Sequence, residues 1–446
     1  MDIQSTIAAT RFGLGIRPEE ITRVTSSPRG WLMDQLVQAP PPMRASFTSS
    51  RQLLAGLYAV RTGDKEENKE ARQKAKKEAR KDTIGLFRED MLTRFAYAAT
   101  TSAPFHERLV NFWSNHFTVS IKKGGPLAIA AAYEYEAIRP HVMGRFADML
   151  QAVTHHPAML MYLDNAQSIG PGSRMGMRAG KGLNENLARE IMELHTLGVN
   201  GGYTQADVTT FAKVITGWTV DRRPDNIGNF VFTEPRHEPG AKTILGRTYA
   251  DNGENQGVAL LNDLAIHPST ARHIGFKLAQ HFIADDPPQK AVDALAQRFL
   301  ASGGDLKSVY QTLIELNECW DPSLPKMKSS YDLVVSAARL CGLTAENVQW
   351  CVASLNFLGN VPFTATSPAG FSDAARDIGG PDAVLRRVEW AQTAAVRLVP
   401  NRSYRELAEM ALGPVMSEKT RETLGAAHNE REGLALLLAS PDFQRR

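Results

Sequence analysis

The stretch from Asn184 to Val220 reads NENLAREIMELHTLGVNGGYTQADVTTFAKVITGWTV, and its periodicity decides the fold class. At about 100° per residue, Leu187, Ile191 and Leu194 form an apolar stripe. Asn186, Glu190 and Glu193 gather on a neighbouring face, which puts two carboxylates one turn apart. Gly198 stands where a helix C-terminus prefers glycine. Gly201 and Gly202 continue the turn, and Thr204 offers an N-cap with Asp207 three residues on. A second helix is expected through Phe211, Val214, Ile215 and Trp218. The segment is therefore a helical hairpin, and the polar residues on its first helix are unusual for an ordinary packed pair.

Helical patterns continue in both directions. Towards the C-terminus, apolar runs at 256–266, 270–283, 291–300, 307–316, 330–341, 383–398 and 432–439 each suit a helix. The one β signal lies between: residues 229–234 and 242–249 read as two short strands around the turn P-R-H-E-P-G. Towards the N-terminus, 164–182 is a Gly-, Ser-, Met- and Arg-rich loop, read as a mobile cover over the Glu190 helix. Before it, Leu109, Val110, Trp113 and Phe117 form a helical stripe with His116 at its edge. Arg61 to Asp82 is almost all charged or Ala, with mixed signs, and predicts a long solvated helix running into the apolar helix from Ile84 to Ala99. Pro28 starts a helix through Trp31, Leu32 and Leu36.

The expected fold is mainly α, a large multi-helix body with one small β hairpin inserted near 229–249. The expected organisation is N-terminal helices over 1–60, a charged arm running into the core over 61–100, and the main body over 101–446.

Composition narrows the function classes. The 446 residues are 43% hydrophobic and 22% charged, so the chain can bury a core. The 51 basic and 48 acidic residues are too balanced to argue for nucleic acid or an anionic membrane. No window approaches the roughly 20 apolar residues of a membrane span, and no basic-then-apolar leader opens the chain. A soluble, cytoplasmic protein is expected, and export in the company of a secreted partner is compatible with that. The three cysteines, Cys319, Cys341 and Cys351, do not demand a disulfide. Phosphate-loop, nucleophile-elbow and dinucleotide patterns are absent.

Two readings of the central motif stand side by side. In one, Glu190, Glu193 and His195 are catalytic, and His116, Glu190 and His237 converge on a divalent metal such as zinc, iron or manganese. Asn186, Arg189, Arg236 and Lys242 are then the binding residues. A metal-free carboxylate pair could also work as acid and base. In the other reading, Glu185, Arg189 and Glu193 pair along the helix at four-residue spacing, and the cluster braces the fold. A further stripe, His273, Lys277 and His281, shares one helical face and could bind an anion or simply be the wet face of an amphipathic helix.

The motifs R-F-G-L-G, F-W-S-N-H-F, N-E-N-L-A-R-E-I-M-E-L-H-T-L-G, G-Y-T-Q-A-D-V, T-G-W, R-H-E-P-G-A-K-T-I-L-G, H-P-S-T-A and L-L-L-A-S-P-D-F-Q-R-R, in this order along the whole chain, resemble those of the bacterial family of unknown function DUF1800. Ile191 and Glu238 stand where the resemblance leads one to expect Leu and Asp. The resemblance implies polar motif positions at His116, Glu185, Asn186, Arg189, Glu190, Glu193, His195 and His237. It also implies a gene neighbourhood with a sulfatase-like, often exported protein. An enzyme with a carboxylate/histidine site, or a maturation or export partner for that neighbour, are the two functions to test.

Overall fold

The computed structural model describes residues 1–43, 47–62, 69–123, 129–179, 182–323 and 326–446. Helices dominate, and a single contiguous apolar core runs from Ile7 to Phe443. Phe12, near the N-terminus, shows how distant segments share that core: its ring lies 5.7 Å from Phe105, 5.8 Å from Phe282 and 5.1 Å from Trp320. Among the described residues no helix is long and apolar enough to cross a membrane.

The charged stretch divides. Arg61 lies in the last turn of the helix Ser50–Thr62, residues 63–68 lie outside the described ones, and Lys69–Thr100 is one helix of 32 residues. In its charged first part Lys74, Lys77, Glu78, Arg80 and Lys81 are exposed. Its last turns bury Met91, Phe95, Ala98 and Ala99. Next comes Pro104–His116, the His116 helix, with Pro104 in the first turn and Leu109, Val110 and Trp113 fully buried.

The hairpin of the central motif forms, with two departures from regular geometry. Asn186–Glu190 is α-helical, but Ile191–His195 widens into a π turn. The wider turn shifts the phase of the residues that follow, and Gly198 (φ +83°) closes it by donating to Met192 O at 3.1 Å. Thr204 and Asp207 then cap Gln205–Val214 reciprocally, as their spacing predicts.

That second helix stops at Val214 and does not reach Trp218. Gly217 (φ +84°) turns the chain, and Trp218–Val220 becomes strand β1, all three residues buried. The apolar spacing of Phe211, Val214, Ile215 and Trp218 had imitated a continuing helix. β1 pairs antiparallel with β2, Phe230–Phe232. β3, Lys242–Ile244, pairs with β4, Arg247–Tyr249, through a two-residue turn in which Leu245 (φ 51°) and Gly246 (φ 77°) both take positive φ. β2, β3 and β4 thus lie in the expected region, β1 lies before it, and the strands form two separate antiparallel pairs in place of one hairpin across the P-R-H-E-P-G turn.

Three later helices position the cleft described next. Pro268–Phe282, the Lys277 helix, buries Ile274, Leu278 and Phe282. Ser330–Cys341 is buried from Tyr331 to its end. Val348–Phe357 leads into an irregular roof segment, residues 358–374. All three cysteines are buried and free.

Candidate functional site

The site residues expected from the sequence fall into separate places. Glu190 and Glu193 are neighbours, and burial followed by the Glu193 charge raises the Glu190 carboxyl above its usual range. Arg189 donates to Glu185 Oε2 at 3.0 Å and to Gln205 Oε1 at 2.9 Å, while Thr209 donates to Glu185 Oε1 at 2.6 Å. This ties the two helices of the hairpin together at Glu185. Asn186 is exposed.

His237, Arg236 and Lys242 form a second group. His237 is buried and donates from Nδ1 to Thr216 O at 3.1 Å, with Asp251 Oδ1 3.6 Å from its Nε2. Lys242 Nζ donates to Glu238 O, Gly240 O and Gln256 Oε1 at 2.7, 2.8 and 3.0 Å. Arg236 donates to Ala166 O at 3.0 Å, and Glu238 Oε2 accepts from Gly172 N at 2.7 Å. These contacts fasten the 164–173 loop to the 234–242 turn. A side chain at Gly170 would have its Cβ 2.7 Å from Glu238 Cα, so the two segments approach as closely as glycine allows.

His116 and His195 do meet, and His273 joins them. His116 Nε2–H donates to His195 O at 3.1 Å, and His273 Nε2–H donates to Leu194 O at 3.0 Å. Both carbonyls close the π turn, where helix carbonyls lack partners of their own. The His195 ring is buried, with neither nitrogen hydrogen-bonded among the described residues. Burial pushes His195 down to about 3 and His273 to about 4, so both are neutral at pH 7. Among the described residues no three His, Cys, Asp or Glu side chains come together as a metal would require, so the set His116, Glu190 and His237 gains no support as a metal centre.

What the structure does bring together is a cleft of about 180 Å³. Its walls are the His116 helix, the Lys277 helix, the start of Ser330–Cys341 and the roof segment. His273, Lys277 and His281, one turn apart, all line it. Asn115 holds the roof by donating to Phe371 O at 2.9 Å and accepting from Phe371 N at 2.8 Å. Ser120 Oγ donates to Ala365 O at 2.7 Å, and Phe363, in the cleft wall, adopts φ +62°, a conformation that costs a side chain energy and clusters at functional sites.

Charges around the cleft are matched with one exception. Arg108 donates to Gly13 O at 2.6 Å and to Asp332 Oδ2 at 3.2 Å. Arg446 donates to Asp373 Oδ1 at 3.0 Å and lies 3.4 Å from Asp332 Oδ2. His281 Nδ1–H donates to Asp373 Oδ2 at 2.7 Å, and Lys326 donates to Asp285 and to Asp373 O. Burial would raise both aspartates, but the surrounding cations outweigh it: Asp332 is held at about 2 and Asp373 well below the usual range. Lys277 is the exception. It lines the cleft with no hydrogen bond or ion pair among the described residues, and burial lowers its ammonium pKa, partly offset by Asp373.

The family described as "Protein of unknown function (DUF1800)" matches residues 7–445. The chain belongs to this family. No curated protein and no solved structure matches it.

In this DUF1800 chain, then, the sequence motif around Glu190 and the cleft are adjacent and not the same. They touch through Leu194, whose side of the π turn lines the cleft, and through His116 and His273, which line the cleft and hold the turn. Of the expected site residues, His116 alone lies in the cleft wall. The 268–282 stripe signalled the cleft, since its three basic residues share a face. Arg94, Arg108, Asn111, Tyr331, Asp332 and Asp373 carried no local signal, because their significance comes from segments far apart in the chain.

Proposed function

We propose that this chain binds a small anionic molecule in the cleft, with Lys277 as its counter-ion. One observation carries the reading: a lysine in a half-buried cleft whose other charged groups are already paired. The side chain is only partly buried, so its ammonium keeps solvent on the cleft side, and an anion entering the cleft meets a cation that no protein carboxylate occupies. The cleft is smaller than the roughly 300 Å³ that begins the range for drug-sized ligands, which points to a metabolite of a few carbons. Glu190, Glu193 and His195 do not line the cleft and act in this reading as its support.

The test is thermal unfolding of the full chain with a panel of small anions, beside Lys277→Met, which keeps the aliphatic stem. At least one anion is expected to raise the wild-type midpoint, through about 2.7 kcal/mol of linkage at a hundredfold excess over Kd, and to leave Lys277→Met unmoved. A panel without effect on the wild type ends the reading.

A second reading, that the chain serves a co-encoded sulfatase-like exported protein, has one surface on its side. The helix Pro381–Arg397 exposes Val384, Leu385, Val388 and Val396, and Val399 beyond it is 80% exposed. Exposed apolar side chains gathered on one helix mark interaction surfaces more often than single ones do. Copurification with that neighbour, lost in Leu385→Glu with Val388→Glu, is the expected result, and unaltered capture removes this surface from the argument.

A further inference from the structure

The proposed anion site has a second end. Arg94 Nη1, Asn111 Nδ2 and Tyr331 Oη are buried atoms with no hydrogen-bond partner among the described residues, and all three residues line the cleft. They also form one group. Arg94 Nη2 donates to Asn111 Oδ1 at 2.5 Å, and the Arg94 guanidinium carbon lies 5.0 Å from the centre of the Tyr331 ring. Because Asn111 Oδ1 accepts from arginine, the amide orientation is fixed and its NH2 is left as a donor. Buried donors without partners are few in folded proteins, and three gathered around Arg94 from three helices in one cleft ask for an acceptor.

The charge there is already balanced. Arg94 donates from Nε to both Glu134 oxygens at 3.1 and 2.9 Å, and Arg139 bonds both Glu107 and Glu134. Two cations face two carboxylates, so the group wanted at this end is an oxygen acceptor and need not carry charge. Lys277, on the other helix, feels the Asp373 charge but makes no ion pair or hydrogen bond among the described residues.

We infer that the ligand is a short carboxylic acid bearing a second oxygen group, its carboxylate at Lys277 and its other oxygen at Arg94, Asn111 and Tyr331. The inference rests on the anion-binding reading and extends it. A hydroxy acid, an oxo acid and a dicarboxylate share this chemistry.

Calorimetric titration of the full chain separates the possibilities. The probes are malonate, succinate and glutarate, 3-hydroxybutyrate and acetoacetate, and the monoacids propionate, butyrate and valerate. Tyr331→Phe removes one hydroxyl and keeps the ring, and Lys277→Met removes the counter-ion. At least one two-group acid is expected to bind tenfold or more tightly than the monoacid of equal chain length. Tyr331→Phe should cut that advantage several-fold with monoacid binding unchanged, and Lys277→Met should weaken every acid. Monoacids that bind as tightly as all two-group acids, or a Tyr331→Phe loss shared equally by both classes, overturn the two-ended ligand and leave the anion site standing. Absence of binding by every acid overturns the carboxylic-acid ligand, and the anion site itself falls only if the thermal panel of small anions is also without effect.

Discussion

His281 Nδ1 and Asp373 Oδ2 lie 2.7 Å apart, and this contact joins the Lys277 helix to the roof of the cleft. The same carboxylate accepts from Arg446, so one side chain fastens three segments. Asp373→Asn leaves the buried Arg446 guanidinium short of a charge partner. Breaking such a pair costs about 3–5 kcal/mol, and urea unfolding of the variant is expected to show a loss of that order. Hydrogen exchange should localise the loosening to residues 358–374. A loss below about 1 kcal/mol would mean that Lys326 and Asp332 hold the roof without Asp373.

Acid should destabilise the fold before the carboxylates titrate. Burial depresses His106, His273 and His281 to about 4 each in the folded chain, against 6.5 for an ordinary histidine. Between those values the unfolded chain binds protons that the folded chain refuses. Stability is therefore full above pH 6.5 and falls as the pH drops towards 4, by up to about 1.4 kcal/mol per pH unit for each histidine. Urea midpoints at pH 7.5, 6.5, 5.5 and 4.5 check this, and His106→Gln should flatten the slope. A midpoint constant from 7.5 to 5.5 would contradict it.

Gly257 is expected to tolerate no side chain. A Cβ there would lie 2.3 Å from Trp218 Cζ2 and 2.8 Å from its Cη2, inside contact distance of a fully buried indole. Gly257→Ala must displace Trp218 from the start of β1, at about 1–3 kcal/mol for overpacking. The readout is a lower unfolding midpoint with altered tryptophan emission. An unchanged midpoint would show that the indole can shift freely.

The cysteines should be silent in the folded protein. Burial pushes the Cys341 and Cys351 thiols up to about 12 and raises Cys319 as well. A thiol so far from its thiolate and so covered reacts slowly. Titration with an aromatic disulfide reagent is expected to count no thiols in native buffer and three after denaturation. A fast-reacting native thiol would reveal local opening.

Reading the sequence found the fold where the signal was local. The Thr204/Asp207 cap and the Gly198 turn each depend on residues within one or two turns, and each formed; of the charged stretch from Arg61, the part from Lys69 onward is helical and residues 63–68 lie outside the described ones. It failed where a local pattern had two solutions. Trp218 continued the helical spacing of Phe211 and Val214, but Gly217 broke the helix and β2 supplied a partner, so the residue became strand. The cleft was half legible. His273, Lys277 and His281 announced one wall by their spacing, but whether that face was wet or enclosed depended on the roof, 80 to 100 residues further on. His237 looked unexplained at a turn because its acceptor, Thr216 O, is 21 residues away.

The π turn at Ile191–His195 has a bearing on how this chain can vary. A π turn holds one residue more than the α turn it replaces, so it is equivalent to an insertion absorbed by the helix. Deleting a single residue from 191–195 would restore regular winding and swing the downstream residues by about 100°. The carbonyls of Leu194 and His195 would then leave His273 and His116, and two walls of the cleft would lose their common strut. Point substitutions in this turn are repairable, whereas a one-residue change in its length alters what the cleft is built on.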